Sequence, residues 1–379
     1  MLFFSNQNFR PDGTVPTTAA TVSEGLNPNG TPQVFRTQIP ASTSNTFTRL
    51  TNTPPVSLLT SPRVMASASR TRTAFNLGGV DMGTGNSDGS VEIFYLLSPI
   101  VTAQDATALT FNSGASNMPV ATATPAPSPS PSPTPTPSPS PGVALGLAPG
   151  QLSIARSTVP LAPFTGSSTG GSETTRSPAL PIELNGVSLS VNGAAAGLYF
   201  VGNAEKQINF VMPVTAAPGL GTVAVNILNA GANTDTALRG FVQIVTAQPD
   251  IFSSTGDALG NAIAVNVTNP NLRLPPPFNV TSTDASGATV PTVVELSLTG
   301  IRLTLKSEFT ITVGTTTIAA DQIVLKQSNL EMPGFDILNF TLPASLAGAG
   351  EVPVIVSFTR GGVTTVSRPA DTAAKIRIN

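Results

Sequence analysis

Along several stretches of this chain, apolar residues fall at every second position with polar partners between them. That period of two marks strands with one buried face. Val187-Leu189-Val191 and Val223-Val225-Ile227 follow it, as do Ile301-Leu303-Leu305, Phe309-Ile311-Val313 and Val352-Val354-Val356-Phe358. Turn formers separate the runs at Asn192-Gly193, Pro218-Gly219, Thr299-Gly300 and Gly361-Gly362, where a glycine can take the backbone angles a tight reversal needs. The pattern predicts antiparallel sheets packed face to face. No apolar run reaches the ~18 residues a membrane helix requires.

Two of these stretches are similar. Gln207-Ile208-Asn209-Phe210-Val211-Met212-Pro213 matches Ile337-Leu338-Asn339-Phe340-Thr341-Leu342-Pro343, and Gly219-Leu220-Gly221-Thr222-Val223-Ala224-Val225 matches Gly348-Ala349-Gly350-Glu351-Val352-Pro353-Val354. The order is kept, so two copies of one sandwich domain are expected, with Phe210 and Phe340 at equivalent core positions.

A second repeat lies near the N-terminus. Asn27-Pro28-Asn29-Gly30-Thr31-Pro32-Gln33-Val34-Phe35 returns as Asn86-Ser87-Asp88-Gly89-Ser90-Val91-Glu92-Ile93-Phe94, 59 residues later. Each copy is a polar turn ending in glycine, then a short alternating strand. Strand-and-turn repeats of this length suggest propeller blades. Phe3-Phe4-Ser5-Asn6 and Thr73-Ala74-Phe75-Asn76 are expected to be equivalent strands of successive blades. Only about two blades fit in residues 1–122, and a closed ring needs four or more. The chain reads as beginning inside a strand, so missing N-terminal blades are expected.

Between the two repeat regions, every odd position from Pro125 to Pro141 is proline. Such a tract lacks the amide hydrogens a helix or central strand needs. It is expected to form a polyproline II rod of about 50 Å, a spacer or, alternatively, a ligand for a proline-binding domain. The expected organisation is all-β throughout: partial β-propeller blades at 1–122, a Pro/Ser/Thr-rich polyproline linker at 123–142, and antiparallel β-sandwiches at 143–247 and 248–379.

Two resemblances refine this. The blades' Asn-x-Asp-Gly-x-x-Glu-Ile-Phe wording resembles the WD40-like propeller repeats of Tol-associated and related secreted bacterial proteins. Leu147-Ala148-Pro149-Gly150, Val187 to Gly193 and the Gln207-to-Pro213 strand resemble the Solibacter-type uncharacterised C-terminal domain, over roughly residues 145–379. Pro249-Asp250-Ile251-Phe252 resembles the Pro-Gly-Ile-Phe joining that family's two halves, with aspartate where glycine is usual. Glu295-Leu296-Ser297-Leu298-Thr299-Gly300 resembles the strand and turn that open the second half. The resemblance implies two tandem Ig-like domains at the end of a secreted acidobacterial protein, and no functional residue is carried over.

Composition then narrows the chemistry. Only 10% of the 379 residues are charged and the net charge is −2, which gives no electrostatic reason to bind nucleic acid or acidic membranes. Cysteine and histidine are both absent. That removes thiolate chemistry, Ser-His-Asp arrangements and the commonest zinc ligands. Tryptophan is absent too, which argues against sugar binding by ring stacking.

Each apparent motif has a plainer reading. Gly166-Ser167-Ser168-Thr169-Gly170 fits a hydrolase serine elbow, but it sits in a Gly/Ser/Thr run without a following helix and reads as a flexible loop. Gly219-Leu220-Gly221-Thr222-Val223-Ala224 fits a loose dinucleotide fingerprint, yet it opens a strand where a phosphate cradle needs a helix. Asn86, Asp88 and Glu92 offer oxygen ligands for calcium, against a plain turn; the copy at Asn27-Asn29-Gly30 lacks the carboxylates. Lys306 is a candidate for a Lys–Asn cross-link, against a solvated edge-strand lysine. Catalytic, cofactor and metal residues are therefore assigned to none, and no cofactor is expected.

The expectation for function is a non-catalytic structural or adhesive module, extracellular or on the cell surface of a bacterium. The alternative is a ligand-binding module that takes sugar, peptide or a surface protein on sandwich-end loops or on the propeller face. A protein or cell-surface polymer is the expected partner, with no nucleic acid and no membrane insertion. An enzyme fragment would have to be a carboxylate-pair glycosidase, with two buried acids facing each other across a cleft.

Overall fold

A computed structural model describes residues 1–37, 46–53, 63–66, 72–79, 88–97, 101–105, 109–123, 142–159, 161, 167–169, 180–228, 235–256, 260–318, 320–328 and 332–379. The described residues form antiparallel sheets joined by turns and four short 3-10 segments. The chain divides into two compact units, the first of residues 1–102 with 229–235 and the second of residues 103–228 with 236–379.

The first unit holds two three-stranded sheets. Leu2–Ser5, Gln33–Arg36 and Thr48–Arg49 make one; Val64–Ala66, Arg72–Leu77 and Glu92–Leu97 make the other. Gly30 and Gly89, equivalent in the repeat, both carry positive φ ahead of their strands. In each sheet two phenylalanines face one another across neighbouring strands. Phe3 stacks on Phe35 at 5.8 Å, and Phe75 stacks on Phe94 at 5.5 Å. This register corrects the alignment of the first strands: Phe3 corresponds to Phe75, two positions away from the match made on Asn6 and Asn76. The loop joining the paired strands is much longer in the first sheet, so the shared asparagine does not hold the register.

In the second unit, strand pairing crosses the proline tract. Leu109–Ser113, which precedes the tract, pairs along its length with Leu152–Ser157, which follows it. The flanks are bonded to one another as well: Ala121 N–H donates to Ala144 O at 2.9 Å, and Ala144 N–H to Pro119 O at 2.8 Å. The tract itself lies outside the described residues. Its two ends are nonetheless held side by side on one sandwich. This differs from the expected boundary at 123–142, because the tract leaves and re-enters a single module.

That module is sandwich-like. One sheet runs in the order Ser167–Thr169, Gly197–Gly202, Gln207–Val211, Leu152–Ser157, Leu109–Ser113, and the other contains Glu183–Leu184, Val187–Val191, Gly219–Leu228 and Asp235–Ile244. Ser167–Thr169, expected as loop, is thus a short strand on Gly202, Val201 and Phe200. One core joins both sheets, with Phe111, Ile208 and Phe210 facing Leu189, Val223 and Val242.

The second sandwich repeats the arrangement. Asp250–Ile251, Val293–Thr299, Asp336–Thr341 and Ile323–Ser328 form one sheet, and Thr316–Ile318, Phe309–Val313, Gly350–Arg360 and Val363–Val366 the other. Phe340, Leu296 and Ile323 share a core with Ile311, Val354 and Phe358. Phe210 and Phe340 are both fully buried.

A β-bulge gives closer evidence that the two sandwiches are copies. Opposite Phe210 and Asn209, the neighbouring strand steps from Leu198 to Phe200 and leaves Tyr199 as the extra residue. Opposite Phe340 and Asn339, it steps from Ile323 to Leu325 and leaves Val324. A bulge re-aims its extra side chain, and here the same irregularity falls on the same Asn-Phe pair in both copies.

One predicted strand is absent. Ile301-Leu303-Leu305 is a turn leading into a 3-10 segment, Lys306–Glu308. Gly300 has a φ of 81° and redirects the chain. Ile301 N–H then donates to the Asp336 carboxylate at 3.1 Å, and Thr304 Oγ1 donates back to Ile301 O. Local side-chain bonds of this kind compete with a strand ladder. Ile301 is buried, while Leu303 and Leu305 are exposed.

Candidate functional site in the joint between the two sandwiches

The polar chemistry of the second unit is concentrated where its sandwiches meet. Asp250, on the short strand that opens the second sandwich, is buried. Its carboxylate accepts from Ser116 twice, from Oγ at 2.6 Å and from N–H at 2.9 Å. Arg368 closes the group from the far end of the chain, donating through Nε to Ser116 Oγ and through Nη2 to Ser116 O, both at 2.9 Å. Burial pushes the Asp250 carboxyl above its ordinary value, opposed by hydrogen bonds from Ser113 and Ser116 and by the Arg368 charge.

The joint continues along both modules. Leu152 N–H donates to Thr299 Oγ1 at 2.8 Å, and Thr299 Oγ1 donates onward to Gly334 O. Gln248 accepts from Leu145 N–H at 3.1 Å and donates to Val366 O at 2.9 Å. Tyr199, the bulge residue of the first sandwich, donates its hydroxyl to Pro333 O at 2.7 Å. Phe252 and Phe335 stack with ring centres 4.3 Å apart, in an apolar cluster with Leu152 and Val211. Gly150 lies so close to Arg302 that a Cβ there would meet its Cδ at 2.6 Å, and its φ is 75°. That glycine belongs to the Leu-Ala-Pro-Gly segment singled out in the sequence.

A second buried carboxylate supports the joint from behind. Asp336 is raised by burial, opposed by Arg302 and the Ile301 N–H. Arg302 donates to it at 3.4 Å and also to Phe335 O at 3.2 Å. Lys326 caps the Arg302 carbonyl at 2.8 Å, and burial holds its ammonium below the usual range.

These groups fasten backbone to backbone. The hollow lined by Ser116, Asp250, Arg368 and Ala374 is about 10 Å³, room for about one water. Ser116 Oγ gives its proton to Asp250 and accepts from Arg368, so its hydrogen and one of its two lone pairs are already engaged. Asp250 and Asp336 are each held by their own donors. The arrangement can lock two modules and hold a water molecule; it offers a substrate no space.

The sequence candidates fall elsewhere. Asn86 lies outside the described residues, as do Gly166, Gly170 and the proline tract. The Asp88 carboxylate accepts from Ser90 N–H at 2.9 Å, which holds it below the usual range and makes it a turn residue. Glu92 lies opposite Leu77 in its sheet. Among the described residues no group of three or more acidic side chains is placed to hold a metal. Lys306 is exposed and donates to Ile323 O at 3.1 Å. It lies in the 3-10 turn and not on a strand, without the buried setting a cross-link to asparagine requires. Gly219 and Gly221 lie in the strand Gly219–Leu228. Nothing in the sequence singled out Ser116 or Arg368 as site residues, and Asp250 drew notice only as an aspartate in the Pro249-Asp250-Ile251-Phe252 segment.

No family model matches the chain, and no curated protein matches it. Among solved structures the chain is similar to endo-fucoidan hydrolase MfFcnA4 from glycoside hydrolase family 107, at 14% identity and a TM-score of 0.19. The match covers 100% of this chain and 38% of that one, so the chain spans well under half the length of that enzyme. A TM-score of this size establishes no common fold. Among the described residues no helix is long and apolar enough to cross a membrane.

Proposed function

We propose that this chain is a non-catalytic structural or adhesive module of a secreted or cell-surface bacterial protein. In this reading its two Ig-like sandwiches act as one stiff element, and the N-terminal sheets are blades of a propeller-like repeat. One observation carries the reading: Asp250, Ser116 and Arg368, drawn from three distant parts of the chain, are spent on holding two sandwiches together. A buried, fully bonded joint is costly to assemble and suits a part that must transmit position or load, since free relative motion is the default for tandem domains. The resemblances to secreted repeat and C-terminal modules agree with that role. Antibodies raised against the chain should label intact, unpermeabilised cells that make it. Labelling only after permeabilisation would sink the surface role.

A ligand-binding role is favoured by one feature. Leu272 and Leu274 are both exposed on the loop between Asn266 and Phe278 of the second sandwich, and exposed apolar side chains on a sandwich loop are a recognised contact device. Replacing both with serine should then abolish capture of a surface polymer while leaving the melting temperature within about 2 °C.

A further inference from the structure

The first sandwich is completed by a strand from the far side of the proline tract. Leu109–Ser113 is an edge strand of its sheet and pairs with the following strand from Leu109 opposite Ser157 to Ser113 opposite Ser153. Leu109 and Phe111 belong to the sandwich core, in one cluster with Leu147 and Phe210. Gly240 of the opposite sheet lies so close that a Cβ there would meet Leu109 Cβ at 2.8 Å, so the core is shaped around this strand. The residues after it are fastened as well. Met118 is buried, and Ser116 bonds Asp250 and Arg368 in the joint. Without residues 109–121 the sandwich lacks an edge strand, part of its core and the Ser116 donors of Asp250.

The covalent link between this strand and its sandwich is the proline tract, whose flanks lie side by side. Ala121 N–H donates to Ala144 O, and Ala144 N–H to Pro119 O. From Pro125 to Pro141 the link carries proline at every odd position and has no glycine. Proline fixes φ, and a sequence of this kind favours an extended course. The end-to-end distance it favours is about 50 Å. Returning to a neighbouring strand forces such a chain to double back, and closing a stiff loop departs from the small cost of closing a flexible one. A link that favours extension, joined to a strand that completes a sandwich, is a setting for exchange of that strand between identical chains.

We infer that the partner of this sandwich edge is a second copy of the chain. Residues 109–121 of each copy complete the first sandwich of the other, and the two proline tracts run extended between them. The same residues meet as in the closed arrangement, so the contacts are kept: Phe111 fills the core of the other copy, and Ser116 donates to Asp250 of the other copy. Exchange removes only the requirement that each tract return to the sandwich it left. The inference rests on the ladder and on the composition of the tract, not on the surface role, so the two can fail separately.

The chain has no cysteine, and Thr110 lies opposite Arg156 on the ladder, a spacing that a disulfide spans. The test places Thr110→Cys and Arg156→Cys together in the full chain, oxidises it after folding and separates the products under denaturing, non-reducing conditions. Exchange gives covalent pairs of chains, with peptide mapping placing each bond between positions 110 and 156. Replacing residues 123–142 with the same number of Gly and Ser residues should favour single chains closed internally, by on the order of tenfold over pairs. Internal closure in the chain that keeps its proline tract overturns the inference, because each strand then completes its own sandwich. Bonds that join position 110 to position 110, or no bond at all, overturn it too, because the exchanged ladder is then absent. Pairs that persist undiminished with the Gly/Ser link overturn the tract as the cause of exchange.

Discussion

Both halves of this protein contain a pair of sequence copies, and the pairs are joined by different chemistry. In the N-terminal unit the contact is apolar: Phe75 and Phe94 of one sheet lie against Phe4 and Val34 of the other. In the sandwich unit the contact is largely polar and uses positions where the copies differ. Tyr199 and Val324 occupy the same bulge, but Tyr199 reaches Pro333 of the neighbouring module while Val324 is 53% exposed. Asp250 has no acidic counterpart in the first sandwich: Ile251 lies opposite Leu298 as Leu109 lies opposite Ser157, and the residue before Leu109 in sequence is Ala108. An apolar contact needs only matched shape and burial, whereas a polar joint needs a donor and an acceptor placed for each other at every position.

The largest effect should come from the cores that make the comparison possible. Phe210→Ala or Phe340→Ala should each cost about 3–5 kcal/mol, read by denaturant unfolding. If the joint couples the modules, either substitution lowers the stability of both sandwiches in one transition. Loss confined to the mutated module would break the comparison at its base.

Asp250→Ala should cost about 1.5–3 kcal/mol, since it strands the Ser116 donors and removes a charged acceptor. It should also separate calorimetric unfolding into two transitions. The bulge residues sharpen the contrast at smaller scale. Tyr199→Phe should cost about 0.5–1.5 kcal/mol through the lost hydroxyl bond, whereas Val324→Ala at the equivalent position should stay within about 0.5 kcal/mol. Similar costs at the two sites would mean that the bulge does not distinguish the copies.

The pH dependence has a definite sign. Burial raises the Asp250 carboxyl in the folded state, so folding favours its protonated form. The stability it contributes is complete below the unfolded value, near 3.8, and is lost as pH rises through the folded value. The difference in melting temperature between the parent and Asp250→Asn, which does not titrate, should therefore grow more favourable to the parent as pH falls from about 7 to about 4. A difference that moves the other way would mean that Arg368 holds the carboxylate ionised.

Much of this was legible in the sequence where a single element speaks for itself. Val187-Leu189-Val191, Phe309-Ile311-Val313 and the Val352-to-Phe358 run are strands because alternation reports one buried face directly. The same rule failed at Ile301-Leu303-Leu305, where the Asp336 carboxylate takes the first amide and starts a turn. The proline tract shows a different limit. Composition marks where pairing stops, but it is silent on which strands meet across the gap, and Leu109–Ser113 with Leu152–Ser157 closes that gap. The joint was the least legible part, because Ser116, Asp250 and Arg368 come together only through the packing of whole modules. Nothing local to Ser116 or Arg368 signals it.

If this joint makes two sandwiches one rigid body, the distance between them is fixed. With no native cysteine to remove, spin labels can be placed through Val214→Cys on the first sandwich and Val363→Cys on the second, both at exposed sites. Pulsed dipolar spectroscopy of the full chain should give one narrow distance distribution, which broadens when Asp250→Ala is added. A broad distribution already present in the parent, unchanged by Asp250→Ala, would mean that the joint does not hold the two sandwiches as one body.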